Sequence, residues 1–141
     1  MKTRRAYLVE PRHFEIKEQE LTVHDDEVLV KIKLCGLCNW EQNFWVGTGG
    51  PDSFYNSYKG VLGHEWAGTV EEVGANVTSL KKGDKVTYLP GSEYGGFSEY
   101  SVFKRLILFD CVVIVFSNAD KDLSSLFFLT YFSQIQERRI C

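Results

Sequence analysis

The chain has 141 residues, of which 44% are hydrophobic, 25% charged and 14% aromatic. This composition is typical of a soluble globular protein with one core, and the length is too short for two full-sized domains. Sixteen Lys and Arg residues against nineteen Asp and Glu residues give a net charge of -3. That balance argues against nucleic-acid binding, because binding to a phosphate backbone needs a concentrated basic face.

The lack of a recognisable targeting segment and the cysteine usage predict a cytoplasmic location. The N-terminal sequence MKTRRAYLVEPRH lacks the apolar segment of a secretory signal peptide. The longest stretch without a charged residue, 123–136, contains Ser, Thr and Gln and is shorter than the roughly 18 apolar residues of a membrane helix. Of the four cysteines only Cys35 and Cys38 lie close together, so the sequence predicts a reducing, cytoplasmic location.

Up to about residue 103 the chain has the pattern of short strands separated by glycine-containing turns. In the segment EVLVKIKL (27–34), Val28, Val30, Ile32 and Leu34 alternate with Leu29 and two lysines, which predicts a strand with one buried and one wetted face. The sequence predicts strands over 5–9, 13–21, 27–34, 65–74, 84–89 and 98–103, and one short helix over 39–46 that begins at Asn39. Short strands punctuated by glycine favour a small β-barrel or sandwich.

The composition changes abruptly after residue 96. All twelve glycines lie at or before Gly96 and all three prolines at or before Pro90, whereas six of the ten phenylalanines lie at or after Phe103. A buried strand is predicted over 106–116 and a helix from Asp120 onward, and this tail shows no catalytic motif. We therefore predict a domain over 1–104 and an atypical tail over 105–141, formed by a strand plus helix or poorly defined.

Two segments carry side chains that bind metals: CGLCNWE (35–41) and GVLGHE (60–65). Cys, His and Glu hold zinc in open catalytic sites. A strand ending in Cys38 and a turn carrying His64 and Glu65 would bring three donors together, and Glu41 would accept the ring N–H of His64. Two other interpretations stay open at this point: a C-x-x-C redox pair, and an ordinary turn histidine beside a Glu65 that pairs with a basic side chain.

Three further motifs follow in order: GTVEEVG (68–74), GDKV (83–86) and GGFSEY (95–100). Together the five motifs, over roughly residues 3–103, resemble the N-terminal GroES-like domain of the zinc-dependent medium-chain alcohol and polyol dehydrogenases. The resemblance implies a mainly β fold, a GroES-like small barrel with short helices. It also implies the substrate and zinc domain of an oxidoreductase that transfers hydride from an alcohol, sugar alcohol or sugar to NAD or NADP.

The resemblance assigns roles to individual residues. Cys38, His64 and Glu65 would bind one catalytic zinc ion, with Glu65 either a ligand or exchanging with water. Glu41 would be the acid behind His64, and Cys35 matches no family ligand. In such enzymes zinc polarises the substrate alcohol and stabilises the alkoxide while hydride leaves for the nicotinamide. The expected partner is a small alcohol or polyol, with no nucleic acid or membrane, and a homo-oligomer is left open.

Departures from the family pattern bear on function. Trp40 stands where many members carry the Ser or Thr that begins a proton relay, so a relay must run elsewhere, with Thr48 nearby in sequence, or be absent. Trp40, Phe44 and Trp45 are expected as wall or core residues. Residues 86–95 lack the four-cysteine lobe of a structural zinc site, so no second metal is expected.

The cofactor domain of the family is also missing from the sequence. No G-x-G-x-x-G motif is present, so the Rossmann domain is absent from this chain and the residues that bind the cofactor are unknown. NAD or NADP would bind only with that domain, and the chain alone is expected to be inactive. The alternative interpretation is a non-catalytic GroES-like module that binds zinc structurally or binds a partner.

Overall fold

The computed structural model describes residues 1–37, 39–48, 60–88, 94–104 and 108–110. The elements in these ranges are β1 (Lys2–Glu10), β2 (His13–Glu20), β3 (Glu27–Cys35), α1 (Asn39–Val46), β4 (Trp66–Val73), β5 (Lys85–Tyr88), β6 (Tyr100–Lys104) and β7 (Leu108–Asp110). The mainly β architecture predicted from the sequence is confirmed. Within the described ranges, every helix is too short or too polar to cross a membrane.

The predicted elements agree with the observed ones apart from small shifts at their ends. All six strands predicted up to residue 103 are present, and the helix begins and ends as predicted. Strand β7 falls inside the strand predicted over 106–116. The rest of that strand, the helix from Asp120 and the ligand candidate Cys38 lie outside the described residues.

The described strands form two antiparallel sheets. β1 and β2 make a hairpin, and the other five strands pair in the order β6-β3-β4-β5-β7. Isolated bridges join Arg5 to Ser98 and Tyr7 to Val61, so the hairpin contacts the segments that precede β6 and β4. Because β7 pairs with β5, the sheet includes residues beyond 104, and the division predicted at that position stays a prediction.

Two hydrophobic clusters stabilise this arrangement. The larger cluster contains Val28, Val30, Trp66, Val70, Val77, Val86 and Phe103. The smaller cluster contains Leu8, Phe44 and Leu62, and it joins the hairpin, α1 and the segment before His64. Glu41 and Phe44 are the buried residues of α1, and their spacing of three places both on the same helix face. Burial of Phe44 therefore turns Glu41 toward the interior.

Two details predicted for β3 are wrong. Leu29, expected on the wetted face, is only 3% exposed, and it lies between the buried residues Val28 and Val30. Both faces of the strand are covered at this point, where a β-bulge relative to β4 interrupts the register between Leu29 and Val30. The strand also ends at Cys35 rather than at Cys38, because residues 36–37 leave the sheet before α1 begins.

Candidate metal centre

The end of β3 and the beginning of β4 lie at the same edge of the five-stranded sheet. The two strands are antiparallel neighbours in which Cys35 is opposite Trp66. The buried side chain of Trp66 stacks on Phe103 with ring centroids 4.1 Å apart, which fixes the start of β4 directly after Glu65. The backbone N–H of Gly36 donates to the carbonyl of Glu65 at 2.6 Å. Strand pairing thus brings together two segments that are far apart in sequence.

The carboxylate of Glu41 lies against the imidazole of His64. Its Oε1 atom is 2.5 Å from Nδ1 of His64 and 3.4 Å from the backbone nitrogen of the same residue. The Glu41 side chain is 1% exposed and that of His64 is 15% exposed. A carboxylate at Nδ1 keeps the ring proton on that nitrogen, so the lone pair is on Nε2, as a metal ligand requires.

Glu65 lies on the opposite side of the His64 ring. Its Oε1 atom is 3.9 Å from Nε2 of His64, and its side chain is 44% exposed. This separation is shorter than the sum of a Zn–N and a Zn–O bond of about 2.0–2.2 Å each, so one ion can reach both atoms, at an angle wider than the tetrahedral one. Gly36 leaves the necessary space, because a Cβ atom there would lie 2.7 Å from Oε2 of Glu65.

The third predicted donor, Cys38, lies outside the described residues. Within residues 1–37, 39–48, 60–88, 94–104 and 108–110, no group of three His, Cys, Asp or Glu side chains is arranged to hold a metal ion. The imidazole of His64 and the carboxylate of Glu65 therefore form a partial donor set with suitable chemistry for zinc. Completion of this set by Cys38 stays a prediction.

Cys35 has the environment of a neutral thiol. Burial, together with the nearby carboxylates of Glu41 and Glu65, raises the pKa of this thiol to about 12. Reactive redox cysteines and metal-bound cysteines act as thiolates, and their sites lower the pKa instead. The environment of Cys35 thus disfavours a redox role for this residue. Its sulfur packs against Gly96, where a Cβ atom would lie 2.5 Å from Sγ.

The turn that carries His64 is held in place by backbone contacts. Gly63 has a φ of 88°, which strains any residue with a Cβ atom. A Cβ atom at Gly63 would lie 2.7 Å from the backbone nitrogen of Phe97. The N–H of Gly96 donates to the carbonyl of Gly63 at 2.9 Å. The motif that contains Gly96 therefore packs directly against the turn before His64.

Two aromatic rings flank His64. The ring centroids of Trp40 and Tyr94 lie 5.4 Å and 5.8 Å from that of His64, both rings steeply inclined to the imidazole. They stack on each other with centroids 5.5 Å apart and an angle of 16°. Tyr94 was not among the predicted site residues, although its place directly before Gly95 and Gly96 was a usable signal.

The other aromatic residues of α1, and Thr48 just after the helix, have different surroundings. Phe44 is buried and contacts Trp40 edge-on with ring centroids 4.8 Å apart, which confirms a core position for Phe44. Trp40 and Trp45 are exposed, and a role for them as wall residues stays a prediction. Trp45 stacks on Phe14 of the hairpin at 5.3 Å. Thr48, the nearby hydroxyl considered for a proton relay, donates to the carbonyl of Asn43 at 3.3 Å, at the end of the helix.

Comparison with known proteins decides the family. The sequence-family model of the alcohol dehydrogenase GroES-like domain matches residues 24–111, more than half of the chain. This chain belongs to the alcohol dehydrogenase GroES-like domain family. The predicted GroES-like fold and the predicted family are thereby confirmed.

Individual relatives of this GroES-like domain are named as dehydrogenases or as dehydrogenase-like proteins. A sorbitol dehydrogenase of Bombyx mori is 44% identical over 69 residues, which cover 48% of this chain and 19% of that protein. An uncharacterized zinc-type alcohol dehydrogenase-like protein of Escherichia coli is 39% identical over 97 residues, 67% of this chain and 28% of that protein. The structure of 2R,3R-butanediol dehydrogenase from Bacillus subtilis matches with a TM-score of 0.66 and 26% identity, over 78% of this chain and 40% of that chain. The chain spans less than a third of the length of the two curated relatives.

Proposed function

We propose that this chain is the substrate- and zinc-binding domain of an oxidoreductase that transfers hydride from an alcohol or polyol to NAD or NADP. The observation that carries the proposal is the pair of carboxylates on His64, with Glu41 at Nδ1 and Glu65 beyond Nε2. The names of the relatives support the reaction class, since they include a sorbitol dehydrogenase and a zinc-type protein.

Each side chain of the candidate metal centre has a defined task in this proposal. Buried Glu41 holds the proton of His64 on Nδ1 and strengthens Nε2 as a donor. Glu65 is half-exposed, so its carboxylate can bind the ion or give way to water. Cys38 contributes a thiolate as the third donor. When bound, zinc polarises the substrate oxygen and lowers the pKa of the alcohol.

The dinucleotide is assigned to another domain. Hydride transfer needs the reacting atoms about 3–3.5 Å apart, so a nicotinamide must lie beside the bound alcohol. This sequence contains no G-x-G-x-x-G motif, and the proposal places NAD or NADP on a domain that the 141 residues do not include. The cytoplasmic location belongs to the same proposal and is supported by the cysteine usage.

A second candidate function is a non-catalytic GroES-like module that keeps zinc for stability. Trp40 favours this candidate, because an indole at the relay position does not pass the proton of an alcohol. The two candidates differ in what the metal does for the fold. A catalytic ion leaves the fold intact when it is lost, whereas removal of a structural ion unfolds the domain.

Zinc content of the purified chain tests the proposal. We expect one zinc ion per chain in the wild type and in the control His24→Ala, because His24 is exposed. We expect loss of zinc in Cys38→Ala and His64→Ala, with circular dichroism and the cooperative thermal transition retained. Unfolding of both variants would favour the structural module. A wild type that does not bind zinc, or variants that keep it, would contradict both candidates.

A further inference from the structure

The described residues beside His64 form an apolar surface that the proposed function has not yet used. Trp40 is 40% exposed although it packs between Phe44 and Tyr94. An alcohol whose oxygen is held next to Nε2 of His64 must place its carbon atoms within a few Å of that ring. The rings of Trp40 and Tyr94 are therefore within reach of the groups attached to the carbinol carbon.

We propose that Trp40 and Tyr94 form an aromatic wall that selects alcohols with a flat or unbranched apolar group on the carbinol carbon over extended polyols. The proposal rests on the proposed function, because the selected alcohol binds at the metal held by His64. It narrows the substrate class within that function.

The selectivity follows from what an aromatic face offers to a substrate. A phenyl or alkyl group gains dispersion contacts and loses water at little cost when it packs against the wall. A hydroxyl group packed against the indole face of Trp40 loses its water and gains no hydrogen-bond acceptor from that ring, which weakens binding. A Ser or Thr at position 40 would supply both a donor and an acceptor. Trp40 therefore disfavours polyols at the point where a hydroxyl residue would accept them.

The wall is held in one orientation by its neighbours. The ring of Phe44 contacts that of Trp40 edge-on with centroids 4.8 Å apart, and the ring of Tyr94 stacks on its face. Phe44 is itself anchored in the cluster with Leu8 and Leu62. An oriented wall binds at a lower entropic cost than a mobile side chain, because little rotamer freedom remains to be lost.

The test uses the 141-residue chain loaded with Co²⁺, whose visible absorption reports ligands at the metal without hydride transfer. Benzyl alcohol and sorbitol are the two probes. We expect benzyl alcohol to bind at least about ten-fold more tightly than sorbitol, and Trp40→Ser to reduce this ratio by about ten-fold. Trp40→Phe keeps an aromatic face and should retain most of the preference. Trp45→Phe is the matched control. It removes an indole from the same helix, but this indole stacks on Phe14 and not on Tyr94.

Several outcomes would overturn the aromatic wall while leaving the metal centre intact. They are equal affinities for the two probes, no spectral response to benzyl alcohol, and an unchanged ratio in Trp40→Ser. If Trp40→Ser does not fold, Tyr94→Leu serves as the second variant and should lower the ratio in the same direction. Failure of the chain to bind Co²⁺, or undiminished binding by His64→Ala, would instead remove the proposed function and this inference with it.

Discussion

Glu41 and His64 are 23 residues apart in sequence, and their side chains meet at 2.5 Å. A different contact positions each of the two side chains. Burial of Phe44 orients the helix face that carries Glu41, and the contact of Gly63 with Gly96 fixes the turn that carries His64. Packing of the surrounding domain therefore sets the tautomer of His64 before any ion binds.

Replacement of Glu41 should weaken the metal site. Glu41→Gln keeps an acceptor for the ring proton of His64 but removes the negative charge, so we expect zinc affinity to fall by about 10- to 100-fold. Competition with a chromophoric chelator measures the change. Gln42→Ala is the control, because Gln42 is exposed on the same helix. Unchanged affinity in Glu41→Gln would show that Glu41 does not support His64 as a ligand.

Gly63 should be far less tolerant of substitution than Gly83. Both have a positive φ, 88° and 95°, so alanine strains the backbone at either position by roughly 1–2 kcal/mol. Only at Gly63 does the new Cβ atom also collide with backbone atoms of Gly96 and Phe97, whereas nothing lies within 4 Å at Gly83. We expect Gly63→Ala to lower the free energy of unfolding by at least about 2 kcal/mol more than Gly83→Ala. Urea unfolding measures both, and equal losses would contradict the close approach.

Cys35 should make stability fall at alkaline pH. Burial raises the pKa of its thiol to about 12, above the ordinary thiol value near 8.5. Because the folded state favours the neutral thiol, this contribution is complete below the ordinary value and is lost as the pH rises toward about 12. Wild type should therefore lose more unfolding free energy than Cys35→Ala over that interval. Parallel curves would contradict the buried neutral thiol, as would alkylation of Cys35 at pH 8 without denaturant.

Glu99 should contribute to stability only while it is ionised. Its carboxylate accepts hydrogen bonds from the side chain and the backbone nitrogen of Arg4, and these bonds lower the pKa of Glu99. The contribution is present above the ordinary carboxyl pKa and disappears as the pH falls through the lowered value. Both side chains are exposed, so the effect is small and weakened by salt.

Melting temperatures of wild type and Glu99→Gln from pH 7 to pH 2 measure this contribution. At low ionic strength wild type should melt slightly higher near neutral pH, and the two should converge in acid. High salt should reduce the difference near neutral pH. A difference that persists in acid would show that the ion pair is not its source.

Local patterns were sufficient for most of the secondary structure. The strands and helix α1 depend on neighbouring residues, because alternation of side chains and helix-starting residues act over a few positions. The same holds for the two candidate metal-binding segments, since the motifs around Cys38 and His64 are continuous in sequence. Neither the burial of Leu29 nor the bulge that follows it was predictable from alternation, because both depend on how β3 packs and pairs within the domain.

The sequence by itself determined the family motifs, the approximate positions of the strands, and the choice of Cys38, His64 and Glu65 as candidate donors. Only the tertiary structure decided that Glu41 contacts Nδ1 of His64, that Cys35 is a buried neutral thiol, and that Tyr94 stacks on Trp40. These contacts join segments that are tens of residues apart. Their geometry depends on the register of paired strands and on the burial of a few anchors such as Phe44 and Trp66, and no local pattern of residues encodes that register.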